Sequence, residues 1–215
     1  MPKCINFICL LLFSFSLSAA PQLGTVTDTE GKVTIHNEHS PRGKRVRSTP
    51  EPVHQNQFVR TYANSKARIK LADDSKILVT ESATLEFSDE QNLFVKDGRV
   101  LFSINKRDAI KSLNILTKTA VIGVKGTVFL VEANGDEAML HLREGEVEVK
   151  SLAEGFEDFK AEYEKFKRDY LKEFSEFKQT LSIKSGTTIS IGKKGLKEVE
   201  TPSKIDKLFE ELDQF

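Results

Sequence analysis

The sequence contains very little cysteine and no tryptophan. Its two cysteines, Cys4 and Cys9, both lie in the first nine residues of a 215-residue chain. If that leading stretch is removed, the remaining chain can form no disulfide, no thiolate metal site and no cysteine nucleophile. An exported protein of this kind must be held together by burial of its core.

Charge of one sign and long hydrophobic runs are also missing. Lys and Arg number 32 and Asp and Glu number 32, so the formal net charge is +0. This balance gives no general case for binding nucleic acid or an anionic surface. The run Ile5–Leu17 is shorter than the roughly 20 apolar residues that span a bilayer. Hydrophobic residues make up 39% of the chain, enough for a packed core.

Residues 1–20 have the pattern of a secretory signal peptide. Lys3 supplies the positive charge, the apolar run follows, and Ser18, Ala19 and Ala20 supply small residues for cleavage. Neither cysteine follows these small residues, so a lipid-anchored cysteine is not indicated. We predict an exported protein, located in the periplasm, with secretion or surface association as alternatives. A membrane anchor is the competing interpretation of the apolar run.

Residues 21–152 predict a mainly β domain, because short alternating apolar runs recur between turn residues. In Ala67–Leu71 apolar and basic residues alternate strictly, which buries one face of a strand. Strands about 8–10 residues apart indicate a sandwich, barrel or roll of short antiparallel strands. Gly31, Gly98 and Gly145 stand in Gly-x-Val units that look like rungs of one repeating β architecture. Each is interpreted as part of a hairpin turn.

The stretch from Asn114 to Val131 consists of two apolar runs around a glycine-containing centre. A glycine inside a strand pattern marks a bulge, a corner or a close backbone approach. The centre is not a phosphate-binding loop, because no Gly-Lys-Ser/Thr sequence follows and no helical pattern opens after it. The residues of this structural signature are Ile122, Gly123, Val124, Lys125, Gly126, Thr127 and Phe129.

Residues 117–129 resemble the signature of the FecR domain, a β-rich extracytoplasmic module of bacteria. The family pattern is roughly T-P-x-A-x-I-G-V-R-G-T-x-F; here Lys118 stands in the proline position and Lys125 in the arginine position. The resemblance covers roughly residues 57–149 and implies a β-roll or sandwich outside the cytoplasm. Founding members of the family span the membrane and pass a signal from an outer-membrane transporter to a sigma factor. A leader replaces their cytoplasmic end here, so the resemblance implies a free envelope protein.

Residues 153–181 predict a long amphipathic helix inserted into the β domain, because aromatic residues recur at steps of three or four. Two interpretations compete for this stripe: packing on the protein's own β domain, which is favoured, and a partner-binding surface. Binding to a membrane surface is a third, which the mixed charges of the polar face weaken. A coiled-coil-like seam would also allow self-association. The residues concerned are Phe159, Tyr163, Phe166, Tyr170, Phe174 and Phe177.

The chain returns to β alternation at residues 182–200 and ends in a predicted short helix over residues 201–215. Ser203 is predicted to cap this helix, with Asp206 three residues later. Its apolar face is expected to dock on the β body. That face consists of Ile205, Leu208, Phe209 and Leu212.

Two further groups of side chains, one of histidines and one of basic residues, could form binding sites. His36, His39 and His54 could ligate a metal only if they converged, and their places on a strand's outward side and in polar loops favour solvated histidines. A basic segment over residues 39–52 is interpreted as a surface loop, with an acidic partner or phospholipid headgroups as the alternative. Its cations are Arg42, Lys44, Arg45 and Arg47.

No motif of a known catalytic site is recognisable, and a glycosidase-like carboxylate pair depends on spatial separation rather than sequence. We therefore predict a non-enzyme without cofactor or metal. Its expected role is protein binding or scaffolding in the bacterial cell envelope, through another envelope protein or through self-association by the helix. The alternative is a periplasmic sensor or regulatory component of transporter-linked signalling of the iron-uptake type.

We expect the mature protein to begin at Ala20, because Pro21 directly after Ala20 disfavours cleavage at the later site. Intact-mass measurement of the protein recovered from the cell envelope checks this expectation. A chain that retains Met1 and sediments with membranes would contradict it and support the anchor.

Overall fold

The fold is described from a computed structural model over residues 20–37, 40, 42–106, 113–152, 180–192, 195–202 and 204–215. Most of the predicted signal peptide and residues 153–179 of the predicted inserted helix lie outside these ranges. Within the described ranges no helix is both long and apolar enough to cross a membrane.

The described chain contains strands β1–β17 and one helix, α1. The strand bounds are β1 Gln22–Glu30, β2 Val33–Asn37, β3 Lys44–Arg45, β4 Glu51–His54, β5 Gln57–Thr61, β6 Lys66–Leu71, β7 Lys76–Val79, β8 Thr84–Phe87, β9 Asn92–Ser103, β10 Leu113–Leu116, β11 Ala120–Val124, β12 Val128–Asn134, β13 Glu137–Glu144, β14 Glu146–Ser151, β15 Thr180–Lys184, β16 Thr188–Gly192 and β17 Gly195–Glu198. Helix α1 is Ile205–Asp213.

Strand pairing arranges the sheet as two layers that share β9. The first layer has the order β4-β1-β6-β7-β9-β12-β13-β16-β17, and all its pairs are antiparallel. The second layer has the order β3-β2-β5-β8-β9-β10-β11-β14-β15, in which only β9 and β10 run parallel. The prediction of a mainly β fold with mostly antiparallel strands is confirmed.

One hydrophobic core joins the inward faces of the two layers. The strands alternate as predicted: in β6, Ala67, Ile69 and Leu71 are buried, whereas Lys70 is exposed. Phe102 on β9 and Phe129 on β12 stack with ring centroids 5.0 Å apart. Burying a side chain of this size contributes roughly 1.5–3 kcal/mol. Representative core residues from both layers are Val26, Val59, Ile69, Leu85, Phe102, Ile122, Leu140 and Val149.

The chain passes repeatedly from one layer to the other, and eight of these crossings contain a residue with positive φ. Only glycine, and at some cost asparagine, aspartate or serine, adopts this left-handed backbone readily. The eight are Gly31, Asn56, Asn64, Ser82, Gly98, Gly126, Gly145 and Gly186. The other two positive-φ residues in the described ranges, Asp74 and Gly135, form hairpin turns within the first layer.

The three predicted Gly-x-Val hairpins are wrong, because Gly31, Gly98 and Gly145 are corners between layers. Gly98 lies inside a single strand, β9, whose residues 92–97 pair in the second layer and residues 98–103 in the first. A Cβ added at Gly98 would lie 2.6 Å from the Cα of Ala83. Hairpin turns and layer corners both require positive φ, so the local sequence does not distinguish them.

The short C-terminal helix is confirmed, and its predicted apolar face docks on the outer side of the first layer. Ile205, Phe209 and Leu212 are 3%, 2% and 1% exposed. They form a second hydrophobic cluster with Leu78, Leu101 and Leu130 of β7, β9 and β12. The N-cap residue is Lys204, which forms no side-chain cap hydrogen bond; the predicted cap, Ser203, lies outside the described residues.

Polar contacts hold the same helix in place. Arg143 pairs with Asp213 at 2.8 Å, and Lys66 pairs with Glu211. Beneath the helix, His141 is 7% exposed; its ring centroid lies 5.7 Å from that of Phe209 and its Nδ1 lies 2.5 Å from the hydroxyl of Thr188. Burial lowers the pKa of His141, although the carboxylate of Asp206 opposes the shift. The docked helix therefore favours the neutral form of the His141 imidazole beneath it.

We expect Gly98→Ala to reduce the free energy of unfolding by about 3 kcal/mol or more, because the new methyl group meets backbone as well as a strained φ. Gly135→Ala is the matched control: its φ is +59°, but nothing lies within 4 Å of the added Cβ. The control should cost only about 1 kcal/mol. Urea unfolding of both variants measures the difference, and equal losses would contradict the role of close contact at Gly98.

Candidate functional site

The predicted signature residues lie at one of the layer corners. Ile122 and Val124 on β11 are fully buried in the core, and Phe129 on β12 joins them from the other layer. Between them the chain turns through Lys125, which is exposed, and Gly126, which has φ +72°. The signature therefore occupies a corner between layers, where its residues serve core packing and the left-handed backbone turn.

Thr127 connects this corner to the neighbouring one at Gly145. A Cβ added at Gly145 would lie 2.8 Å from Cγ2 of Thr127 and 2.9 Å from the carbonyl oxygen of Gly126. Thr127 is 1% exposed, and among the described residues its hydroxyl has no hydrogen-bond partner. Gly123, in contrast, has no neighbour closer than 3.8 Å to an added Cβ. Close approach of neighbouring atoms thus explains Gly126 and Gly145 but not Gly123.

The proposed aromatic partner-binding residues lie outside the described residues. Phe159, Tyr163, Phe166, Tyr170, Phe174 and Phe177 all belong to the interval 153–179. The predicted bounds of the helix, 153–181, are wrong at their C-terminal end. Thr180 and Leu181 belong to β15, which pairs with β14. The extended backbone of this strand excludes a helix that continues to Leu181.

His36 differs from its predicted solvated state. It lies on the outward side of β2, as expected, but only 8% of it is exposed. Its ring stacks on Phe58 at 4.7 Å between centroids, and Nε2 lies 2.8 Å from the hydroxyl of Thr34. Gly43 covers the ring so closely that an added Cβ would lie 2.3 Å from Nε2. The covering loop is a tertiary contact that the local strand pattern does not reveal.

Cross-strand register places one row of side chains across the outer face of the second layer. We call this row the outer band. Each member is opposite the next on the neighbouring strand, and the whole row runs from position 36 to position 150 of the sequence. The row runs His36, Phe58, Glu86, Phe94, Leu116, Val121 and Lys150. Sequence patterns within single strands gave no signal for it.

The half of the outer band nearer β2 and β5 combines aromatic rings with cations, and we call it the aromatic–cationic end. It comprises Phe58 of the band and, in the adjacent outward positions, Tyr62, Lys32, Arg45, Arg60 and Lys96. Lys96 Nζ lies 5.0 Å from the ring centroid of Phe58 and pairs with Glu86 at 2.6 Å. Lys32 Nζ lies 4.0 Å from the Tyr62 ring, and Arg60 lies 5.7 Å from it. Phe58 and Tyr62 are half-buried, whereas Lys32 and Arg60 are exposed.

Positive charge at this end is only partly compensated. Thr34 on β2 lies opposite Arg45 on one side and Arg60 on the other. Both guanidinium groups therefore lie on the outer face, in the cross-strand row next to the outer band. In the described part of the chain, no carboxylate forms an ion pair with Lys32, Arg45 or Arg60. Cation–π contacts of exposed groups contribute about 0.5–1 kcal/mol each, so the rings and cations hold one another in place without neutralising the charge.

The other half of the outer band is apolar from Phe94 to Val121, and we call this part the apolar end; Lys150, the last member of the band, lies beyond it. The apolar end comprises Phe94, Leu116, Val121 and the adjacent Leu152. These side chains form a hydrophobic cluster separate from the main core, because alternation directs their neighbours Leu93, Ile115 and Ile122 inward. The outer band therefore changes from a charged, half-exposed surface to a buried apolar surface within one layer.

The described residues also bear on metal binding and on catalysis. No group of three or more His, Cys, Asp or Glu side chains there could hold a metal ion. The His141–Thr188 hydrogen bond is buried beneath α1, so a substrate has no access to it. A groove of about 280 Å³ opens beside the edge strands β15 and β17, lined by Ile183, Ile189 and Leu196 among others.

Residues 57–148 match the family model described as FecR protein. No curated protein matches the chain. Two crystal structures described as a "putative anti-sigma factor from Parabacteroides distasonis ATCC 8503", at 1.65 and 2.50 Å resolution, are similar in fold. Each has a TM-score of 0.49 and 15% sequence identity, and each alignment covers 71% of this chain and 63% of that chain. This chain thus spans less than two thirds of their length.

We expect the pH dependence of stability to be weaker in His36→Gln. Burial, followed by the positive charge of Arg60, lowers the pKa of His36 below its usual 6.5. Below pH 6.5 the unfolded chain binds a proton that the folded chain does not, so the free energy of unfolding falls as pH drops toward the lowered pKa. Urea unfolding at pH 7.5 and pH 5 should show a smaller loss in the variant. His141 retains its own contribution, so the dependence should weaken without vanishing. An unchanged loss would contradict the buried, neutral state of His36.

Proposed function

On the premise that residues 57–148 form a FecR domain, we propose that this chain is a non-enzymatic protein-binding module of the bacterial cell envelope. The observation that carries the proposal is the aromatic–cationic end of the outer band. It presents two half-buried rings and three cations without a described carboxylate partner on one face of a rigid layer. Aromatic residues and arginine are the side chains enriched where protein interfaces gain most of their binding energy.

The charge of this end supports a protein partner with an acidic surface. Arg45 and Arg60 lie on β3 and β5, and Lys32 directly precedes β2. Lys32 and Arg60 lie against the Tyr62 ring. An acidic surface would gain charge-assisted contacts with the guanidinium groups, and its apolar atoms would cover the rings. Phe58 lies on β5 and Tyr62 directly follows that strand, so little conformational entropy is lost at the Phe58 ring when a partner binds.

The proposal includes export to the periplasm and the absence of a catalytic role. The leader-like pattern of residues 1–20 supports export. A scaffolding role fits the same geometry, because the second layer is supported from behind by the hydrophobic core and leaves its outer face for contacts with other proteins.

A second candidate function is a sensor or regulatory component of transporter-linked signalling. The FecR domain itself favours it, because the resemblance implies a link between an envelope transporter and gene regulation. The two functions share the same surface and differ in the identity of the partner: a signalling component would bind a transporter or a regulator, whereas a scaffold would bind another envelope protein.

Site-specific photo-crosslinking in the native host tests the proposal. A photoreactive residue in place of Phe58 should crosslink to one protein partner, and Arg60→Glu in the same chain should reduce the yield at least tenfold, because charge reversal opposes an acidic surface. The mass spectrum of the adduct identifies the partner and so separates scaffold from signalling component.

Two matched controls accompany this experiment. The same photoreactive residue at Glu132, on the first layer, should give no such adduct, and Arg99→Glu should leave the yield unchanged because Arg99 pairs within the first layer. Adducts with lipid alone would show that the cations meet headgroups, and equal protein adducts at both positions would show non-specific contact. Either result would overturn the proposed protein site.

A further inference from the structure

The side chains of the apolar end are almost completely buried, although they lie on the outer face of the second layer. Phe94, Leu116 and Val121 are 7%, 3% and 3% exposed. Leu152 is the one other described apolar side chain that packs against this cluster. Outward residues in the middle of a sheet become this inaccessible only when further structure lies over them. Helix α1 does not supply it, because it packs on the first layer.

We propose that the apolar end is the docking site of residues 153–179 of the same chain, which bind it through their Phe and Tyr side chains. This inference goes beyond the proposed partner site, because it concerns the other half of the outer band and a contact within one molecule.

The positions of the two chain ends support this occupant. Leu152, the last described residue before the segment, itself packs on the cluster. The chain returns at Thr180, which lies opposite Lys150 in the pairing of β14 with β15. Lys150 in turn lies opposite Val121. The segment therefore leaves and returns at the same margin of the apolar end.

The length of the segment matches the size of the surface. A straight helix of 27 residues would be about 40 Å long, and its end could not return to the strand beside its start. Two antiparallel helical arms of about 12 residues reach about 18 Å instead. The distance from β14 to β9 is three strand spacings, about 14 Å, whereas β5 lies about 24 Å away. A segment folded back on itself with arms of this length would reach Val121, Leu116 and Phe94 but not Phe58.

The side chains of the two surfaces are also complementary. The apolar end carries no charge among its four defining residues, and a stripe of aromatic side chains suits a flat apolar sheet face. The remaining positions of the segment are mostly Lys, Glu, Asp and Arg, which would face solvent. Packing of this kind buries the stripe without requiring a second protein.

The absence of tryptophan makes a direct test available, since one introduced tryptophan is the sole indole in the protein. In purified mature protein, Phe159→Trp should emit at shorter wavelength than the unfolded chain and resist quenching by acrylamide. Ala161→Trp is the matched control, because two residues place it about 200° away around a helix. It should emit and quench like the unfolded chain.

A second substitution links the signal to the proposed surface. Val121→Glu in the Phe159→Trp protein should move the emission to the red, whereas Thr84→Glu, on the same outer face at β8, should leave it unchanged. Circular dichroism shows whether each variant stays folded. If Val121→Glu unfolds the chain, replacement of residues 153–179 by Asn-Gly gives the alternative measurement. That protein should unfold cooperatively and bind several-fold more of a dye specific for apolar surfaces.

Three results would overturn the inference. Emission of Phe159→Trp at the unfolded wavelength would show that the stripe is exposed. A blue shift that disappears on dilution would show that a second copy covers it. Unchanged dye binding after replacement of residues 153–179 would show that the segment covers no apolar surface. None of these measurements uses an external partner, so they stand apart from the crosslinking experiment.

Discussion

The fold depends on backbone crossings that place the chain alternately in two facing layers. Gly98 shows the constraint most directly, because its left-handed φ turns the chain inside β9 while both halves of the strand remain paired. The corner also packs against Ala83 with no room for a side chain. If β9 were straight, its two halves could not belong to facing layers. The inward faces that now form one core would then lie on a single open sheet.

The corners also explain why the signature around Gly126 has a structural role. Its buried residues, Ile122 and Phe129, enter the core from opposite layers, and Thr127 lies between the corners at Gly126 and Gly145. Buried apolar residues and corner glycines in such a pattern reflect packing and backbone geometry rather than contact with a ligand. Binding surfaces are then expected on the outer faces, where the strands leave side chains free to differ.

Local sequence patterns predicted the parts of the fold that are determined locally. The alternation in Ala67–Leu71 gave the correct buried face, and Ile205, Phe209 and Leu212 gave the correct docking face of α1. Asp97-Gly98 was misassigned because a hairpin and a layer corner require the same left-handed residue. His36 was misassigned because its cover, Gly43, comes from a loop. The outer band could not be predicted, since its members meet only through the register of distant strands.

The docking of α1 has a consequence for the order in which the molecule can be completed. Leu78, Leu101 and Leu130 form an apolar patch on the first layer, and their cover comes from residues 205–215 at the C-terminal end. A chain emerging from its N-terminus can pair β7, β9 and β12 while this patch is still bare. Residues 205–215 emerge after all three strands, so the patch stays uncovered until then. During that interval the nascent protein exposes apolar surface, which makes incompletely folded chains prone to aggregate.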